Sequence, residues 1–165
     1  GISCNTTTSS GKTALMAAAR AGSDTCVMEL LAFSAVMDRR DQDGNTALHW
    51  AAQERARGPV HVLVLEKADL NAQNKEGMTA LMVAAAVGCG AVVRSLCRAK
   101  ANPYLTDAYH LTAVEIARTE GHYEAVSHYL APPGSTGWMA GLGVRSPVRD
   151  GRLMLAVCFL AWVRA

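Results

Sequence analysis

Aromatic side chains are scarce, 5% of a 165-residue chain, while alanine and leucine abound. So little ring volume beside so many small side chains favours helices packed close together. Paired cysteines are missing too. Cys4, Cys26, Cys89, Cys97 and Cys158 are odd in number, scattered and without a Cys-x-x-Cys. That excludes a disulfide framework and a zinc site of ordinary spacing, and suits a reducing compartment. Nor does one sign of charge dominate. Residues 1–131 carry 12 Lys/Arg against 13 Asp/Glu, and residues 132–165 carry four Arg against Asp150. A near-neutral body lacks the concentrated basic face that general nucleic-acid binding needs, so no nucleic-acid partner is expected. No basic-then-apolar leader opens the chain, which begins on Gly1 and reads as a fragment or processed product. The expected location is intracellular, cytoplasmic or nuclear. Half the residues are apolar and 18% charged, a globular composition with mass enough for a substantial core.

What the chain does have is a period. Thr13-Ala14-Leu15, Thr46-Ala47-Leu48, Thr79-Ala80-Leu81 and Thr112-Ala113-Val114 recur at a constant step of 33 residues. A fixed period of this length is the mark of a repeat architecture. Gly11, Gly44 and Gly77 stand two residues before the recurring Thr, with His110 at that place in the fourth copy. Val27, Val60, Val93 and Val126 align later in the frame, as do Leu31, Val64, Cys97 and Leu130. Each unit therefore reads as a Gly-containing turn, a Thr N-cap and a first helix of about nine Ala-rich residues. Gly22, Gly88 and Gly121 end that helix, as glycine does just past a C-cap. A second helix follows with apolar residues three and four apart, and then a polar link such as Lys67-Ala68-Asp69-Leu70-Asn71. In the second unit Arg55 takes the Gly stop and Gly58-Pro59 comes slightly later, which predicts a displaced turn with Pro59 in the first turn of the next helix.

Gly44-Asn45-Thr46-Ala47-Leu48-His49-Trp50-Ala51-Ala52, the break Gly121-His122-Tyr123-Glu124 and the link Ala68-Asp69-Leu70-Asn71 together resemble the ankyrin repeat. The resemblance covers roughly residues 4–131. It implies an all-α solenoid of helix-turn-helix units joined by β-hairpin-like turns, with repeats at about 8–40, 41–73, 74–106 and 107–133 inside a domain 1–133. Ala replaces the family Pro after each Thr, which costs little because Ala is the best helix former. Met16, Met82 and Glu115 replace the family His, which leaves His49 to make the bond to a neighbouring repeat that the resemblance implies. The Ala-rich first helix of repeat one (Ala17, Ala18, Ala19, Ala21) is as apolar as an internal repeat, so further repeats are expected upstream. Repeat four, with Glu115, Arg118 and Glu120, reads as a closing cap, and Pro132-Pro133-Gly134 ends its helix.

By the same resemblance the chain is a non-catalytic scaffold or adaptor. It is expected to be a monomer, to need no cofactor, and to hold another protein along its concave side. The positions implied are Gln42, Asp43, Asn45, Gln53 and Glu54 in repeat two, then Lys75, Glu76, Met78, Ala86 and Val87 in repeat three. Repeat four contributes Ala108, Tyr109, Leu111, Thr119 and Glu120. The groove begins acidic and amide-rich and turns apolar and aromatic, the character of protein-interface anchors. Met78 and Leu111 could equally pack along the turn tips. Trp50 is assigned to the core, because Ala17, Val83 and Ile116 at its position are all apolar. A regulatory or targeting segment of a larger enzyme or channel is the alternative reading.

Other motifs are weak. Ser9-Ser10-Gly11-Lys12-Thr13 has the end of a phosphate-binding loop but Thr6 where its first Gly belongs. Asp41-Gln42-Asp43-Gly44 resembles the start of a calcium loop, with Arg39 at the first ligand position and no closing Glu. His49, His61, His110, His122 and His128 are dispersed, without partners at triad or metal spacing. Asn5-Thr6-Thr7 is a sequon expected to stay unmodified without a secretory signal. Asn71 follows Leu63, Asp69 and Leu70 at the spacing of ankyrin asparagines that are hydroxylated, a possible modification site. The competing and preferred assignment is a link residue bonded to its own turn.

Residues 134–165 differ in kind. A Gly- and Arg-containing linker leads to the apolar run Leu153–Val163. As a helix those eleven residues would reach about 16 Å, short of the roughly 30 Å hydrocarbon layer. The first expectation is a cover on the last repeat. An interfacial or partner-binding segment, with membrane contact, comes second, since the run lacks a polar face. A terminus without an evolved fold comes third.

Overall fold

The computed structural model describes residues 4–130. The segment 134–165, including the apolar run and each reading of it, lies outside the described residues. Four helix pairs follow one another in the described chain. The first helices are α1 (Ala14–Arg20), α3 (Ala47–Gln53), α5 (Ala80–Ala86) and α7 (Ala113–Thr119). The second helices are α2 (Asp24–Ala32), α4 (Arg57–Leu65), α6 (Gly90–Arg98) and α8 (Tyr123–Leu130). Every start falls on the 33-residue frame, so the sequence period is also the structural one.

The first helices hold seven residues each, too short to persist alone, and their ends are fixed locally. Thr13 and Thr79 accept the Met16 and Met82 N–H at 3.2 and 3.3 Å. The Thr N–H must in turn find an acceptor three residues on. Repeats one and three use a thioether, the Met16 and Met82 sulfurs lying 3.5 and 3.4 Å from the Thr13 and Thr79 nitrogens. Repeat two uses His49 Nδ1 at 3.2 Å from Thr46 N, and repeat four uses Glu115 Oε2 at 2.8 Å from Thr112 N. These hydrogen bonds from the Thr112 N–H and hydroxyl hold the Glu115 carboxyl below the ordinary carboxylate range. One cap is thus built with three different side chains.

The helix stops also keep register. Gly22, Gly88 and Gly121 have φ of +75°, +69° and +75°, and Arg55 takes φ +58° at the same frame position. The displaced turn expected in repeat two is therefore corrected. Arg55 accepts the left-handed conformation in place, and α4 starts on schedule with Pro59 third in its first turn, where no intrahelical N–H is required. The Arg55 guanidinium also donates to the Val87 carbonyl at 2.6 Å, a tie to the next repeat that no glycine could make.

The core is a set of frame-aligned rows. Val27, Val60, Val93 and Val126 are fully buried, as are Ala19, Ala52 and Ala85. Leu15, Leu48 and Leu81 fill between them. Rows of Ala let neighbouring first helices approach closely, and each buried Leu or Val contributes about 1.5–3 kcal/mol. Among the described residues, no buried side-chain nitrogen or oxygen lacks a partner.

Candidate protein-binding groove

The turns that precede the first helices are built by one device. Asp41 Oδ1 accepts the Asp43 and Asn45 N–H at 3.0 and 2.8 Å. Asn74 does the same for Glu76 and Met78, and Asp107 for Tyr109 and Leu111. Such side-chain caps over a tight turn make the tip rigid. Successive tips are joined by single backbone bonds: Gln42 N–H to Ser10 O at 3.1 Å, Lys75 N–H to Asp43 O at 3.0 Å, Ala108 N–H to Glu76 O at 2.9 Å. The glycines are explained here. Gly44 and Gly77 have φ +81° and +75°, and a Cβ on them would lie 2.9 Å from Lys75 N and 2.8 Å from Ala108 N.

Further bonds cross from repeat to repeat in the same frame. Gln42 Nε2 donates to Ser9 O at 2.7 Å, and Gln73 Nε2 to Thr106 O at 2.9 Å. Asn74 Nδ2 donates to Asn45 Oδ1 at 3.0 Å. His49 Nε2 contacts Met78 O at 2.9 Å, the bond to a neighbouring repeat expected of His49. On the link side, Asp38 Oδ1 accepts the Asp69 N–H and Asn71 Oδ1 the Asn102 N–H, at 3.1 and 2.8 Å. Asn71 is thus a staple to the next repeat and not, as expected, bonded through its side chain to its own turn. Its own N–H is held by Asp69 Oδ1.

The residues assigned to the groove divide accordingly. Gln42, Asp43, Glu54, Lys75, Ala108, Tyr109 and Thr119 are exposed, and Asn45, Gln53, Glu76, Met78, Val87, Leu111 and Glu120 half-buried. Ala86 is a correction. It is only 7% exposed, because the first helices approach closely enough to cover so small a side chain. Gln42 and Asn45 spend polar atoms on inter-repeat bonds, so part of the amide-rich stretch is framework. Tyr109, at 59%, is the large apolar surface left most open at the tips. Asp43, Glu76 and Tyr109 occupy one frame position in consecutive repeats.

Trp50 belongs to the core at 4% exposure, and its Nε1–H donates to Asp41 Oδ2 at 3.0 Å. What covers its ring is not marked by any motif. Lys12 Nζ lies 4.3 Å and the Arg20 guanidinium 5.5 Å from its ring centroid, and Arg20 also pairs with Glu54 at 3.5 Å. Lys12 and Arg20 of repeat one thus cover the ring of repeat two. The 33-residue offset between Arg20 and Gln53 and between Lys12 and Asn45 carries that signal only once repeats one and two are stacked.

Burial, with like charge from Asp43 and Asp107, pushes the Glu76 carboxyl above its ordinary range. A raised folded value means the group favours the folded state at low pH and opposes it once ionised. Glu76→Gln should therefore raise the urea midpoint at pH 7, with the gain shrinking as pH falls toward about 4.5 and levelling off below it. A gain that stays constant from pH 7 to pH 4 would refute this account.

Among the described residues no group of three His, Cys, Asp or Glu could hold a metal. Gly11 and Thr13, from the partial phosphate-loop motif, serve as tip glycine and N-cap. Cys4, Cys26, Cys89 and Cys97 are free thiols, with Cys97 held protonated by burial. No described helix is long and apolar enough to cross a membrane.

Residues 1–73 match the family model described as ankyrin repeats (3 copies), and residues 63–117 that described as ankyrin repeats (many copies). No curated protein matches the chain. The chain belongs to the ankyrin-repeat family. Repeats of this family are generally protein–protein interaction modules and typically non-catalytic.

Proposed function

We propose that the chain is a non-catalytic scaffold that holds a partner protein along the tips and first helices of repeats two to four. The observation that carries this reading is a preformed row of tips, each locked by its own Asx cap and tied to the next, with Tyr109 open beside Met78 and Leu111. A surface whose shape exists before the partner arrives loses little ordering entropy on binding. Asp43, Glu76, Lys75, Glu54, Thr119 and Glu120 supply a polar rim around that apolar centre, the usual anatomy of an interface.

The test is capture of partners from cell extract on the immobilised full chain, compared with a Met78→Ala/Val87→Asp/Tyr109→Ala variant. Losing two or three anchors should weaken capture by at least about tenfold. The far-ultraviolet spectrum should be unchanged. If every captured partner is retained by the variant, the groove assignment is wrong.

A further inference from the structure

We infer that the repeat-one end of the stack is a docking face for a further ankyrin-type repeat, beyond the groove proposed above. The first helices bury two different faces. Ala47, Trp50 and Ala51 are buried in repeat two, Ala80, Val83 and Ala84 in repeat three, and Ala113, Ile116 and Ala117 in repeat four. The residues at those positions in repeat one are Ala14 and Ala17, exposed, and Ala18, half-buried. These positions therefore face the preceding repeat. The opposite face behaves in the opposite way. Leu15, Met16 and Ala19 and their counterparts are buried in repeats one to three, whereas Glu115 and Arg118 of repeat four are exposed and charged. The repeat-four end of the described stack carries this charge. The other keeps the small apolar residues of an interior junction.

The register of the occupant is already marked. Asn5 Oδ1 accepts the Val36 N–H at 2.7 Å. Asp38 and Asn71 make the same bond to Asp69 and Asn102 one and two repeats later. Residues 4–5 thus sit on repeat one as the link of a preceding repeat sits on its successor. The Ser9 N–H adds to this. In the frame position where Gln42, Lys75 and Ala108 donate to the previous tip, it finds no acceptor among the described residues. The matching occupant is a helix pair of the same repeat type that presents a Leu, a Met or His, and an Ala to Ala14, Ala17 and Ala18, as α1 presents Leu15, Met16 and Ala19 to α3. A second copy stacked head to tail would instead bring the charged Glu115 and Arg118 onto this apolar face, at the cost of stripping both of water.

The experiment fuses one consensus ankyrin repeat, in the 33-residue frame, ahead of Gly1 of the full chain. The amides of α1 should exchange at least about tenfold more slowly than in the unfused chain, since terminal elements open most easily. The urea midpoint should rise in a single transition. Ala17→Arg, at an exposed site and nearly as helix-favouring as Ala, should leave the unfused chain unchanged and remove the gain from the fusion. Unchanged α1 exchange in the fusion, or a gain that survives Ala17→Arg, would overturn the inference. So would concentration-dependent dimerisation of the unfused chain that Ala17→Arg abolishes, because the face would then take a second copy.

Discussion

Gly77→Ala should cost about 3 kcal/mol of folding stability, and Gly121→Ala only about 1 kcal/mol. Both glycines have φ +75°, so both substitutions place a Cβ in the left-handed region at about 1–2 kcal/mol. Their surroundings differ. The new Cβ at residue 121 meets nothing within 4 Å, whereas at residue 77 it falls 2.8 Å from Ala108 N and 3.0 Å from the Asp107 carbonyl carbon. The fourth tip must then retreat, and the Ala108 N–H to Glu76 O bond is lost with it. That bond, and the repacking of Leu111 beside it, supplies the rest of the penalty. His110 is the natural control, since it holds φ +62° at the same frame position without glycine. His110→Gly should stabilise the fold by about 1 kcal/mol. Urea unfolding of the three variants decides the matter. Equal losses from Gly77→Ala and Gly121→Ala would mean that tip-to-tip contact contributes nothing.

The period made the fold legible. Thr, Gly and Val rows at a step of 33 mark the helix pairs, their caps and their stops, and Thr13, Gly22 and Val27 hold those roles. What stayed hidden depends on contacts between repeats. Ala86 looks free on a single helix, and only the close approach of its neighbours covers it. Asn71 looks like a turn former, but its side chain is committed to the Asn102 N–H, 31 residues on. Arg55 looks like a break in the pattern; it tolerates the left-handed stop and gains the Val87 carbonyl. Frame equivalence identifies which positions share a place, not which of them reach across to the next repeat. For the groove this distinction matters, because Gln42 and Asn45 are partly consumed by the scaffold while Asp43, Glu76 and Tyr109, at one frame position, differ in chemistry from repeat to repeat.

His49 should make stability fall as the medium becomes acidic. Its Nδ1 accepts the Thr46 N–H, which assigns the proton to Nε2 for donation to Met78 O. Burial outweighs the other influences and lowers its pKa from 6.5, although the Met78 carbonyl opposes the shift. Because the unfolded chain takes up the proton first, the neutral His49 contribution is complete above about pH 6.5 and is lost as pH falls below it. Protonation also removes the acceptor that closes the α3 cap, so the Thr46 N–H loses its partner inside the stack. His49→Met separates the two roles, since methionine at residues 16 and 82 shows that a thioether can close this cap. The variant should lose about 1 kcal/mol at pH 7 for the missing bond to Met78 O, whose carbonyl retains the Asn74 N–H. Between pH 7 and 5 its midpoint should fall less steeply than that of the parent chain, so that the two curves draw together. His49→Ala loses cap, cross-repeat bond and ring volume together, and should cost about 3 kcal/mol at pH 7. Parallel pH profiles for the parent and His49→Met would show that the acid sensitivity arises elsewhere and that His49 acts through packing alone.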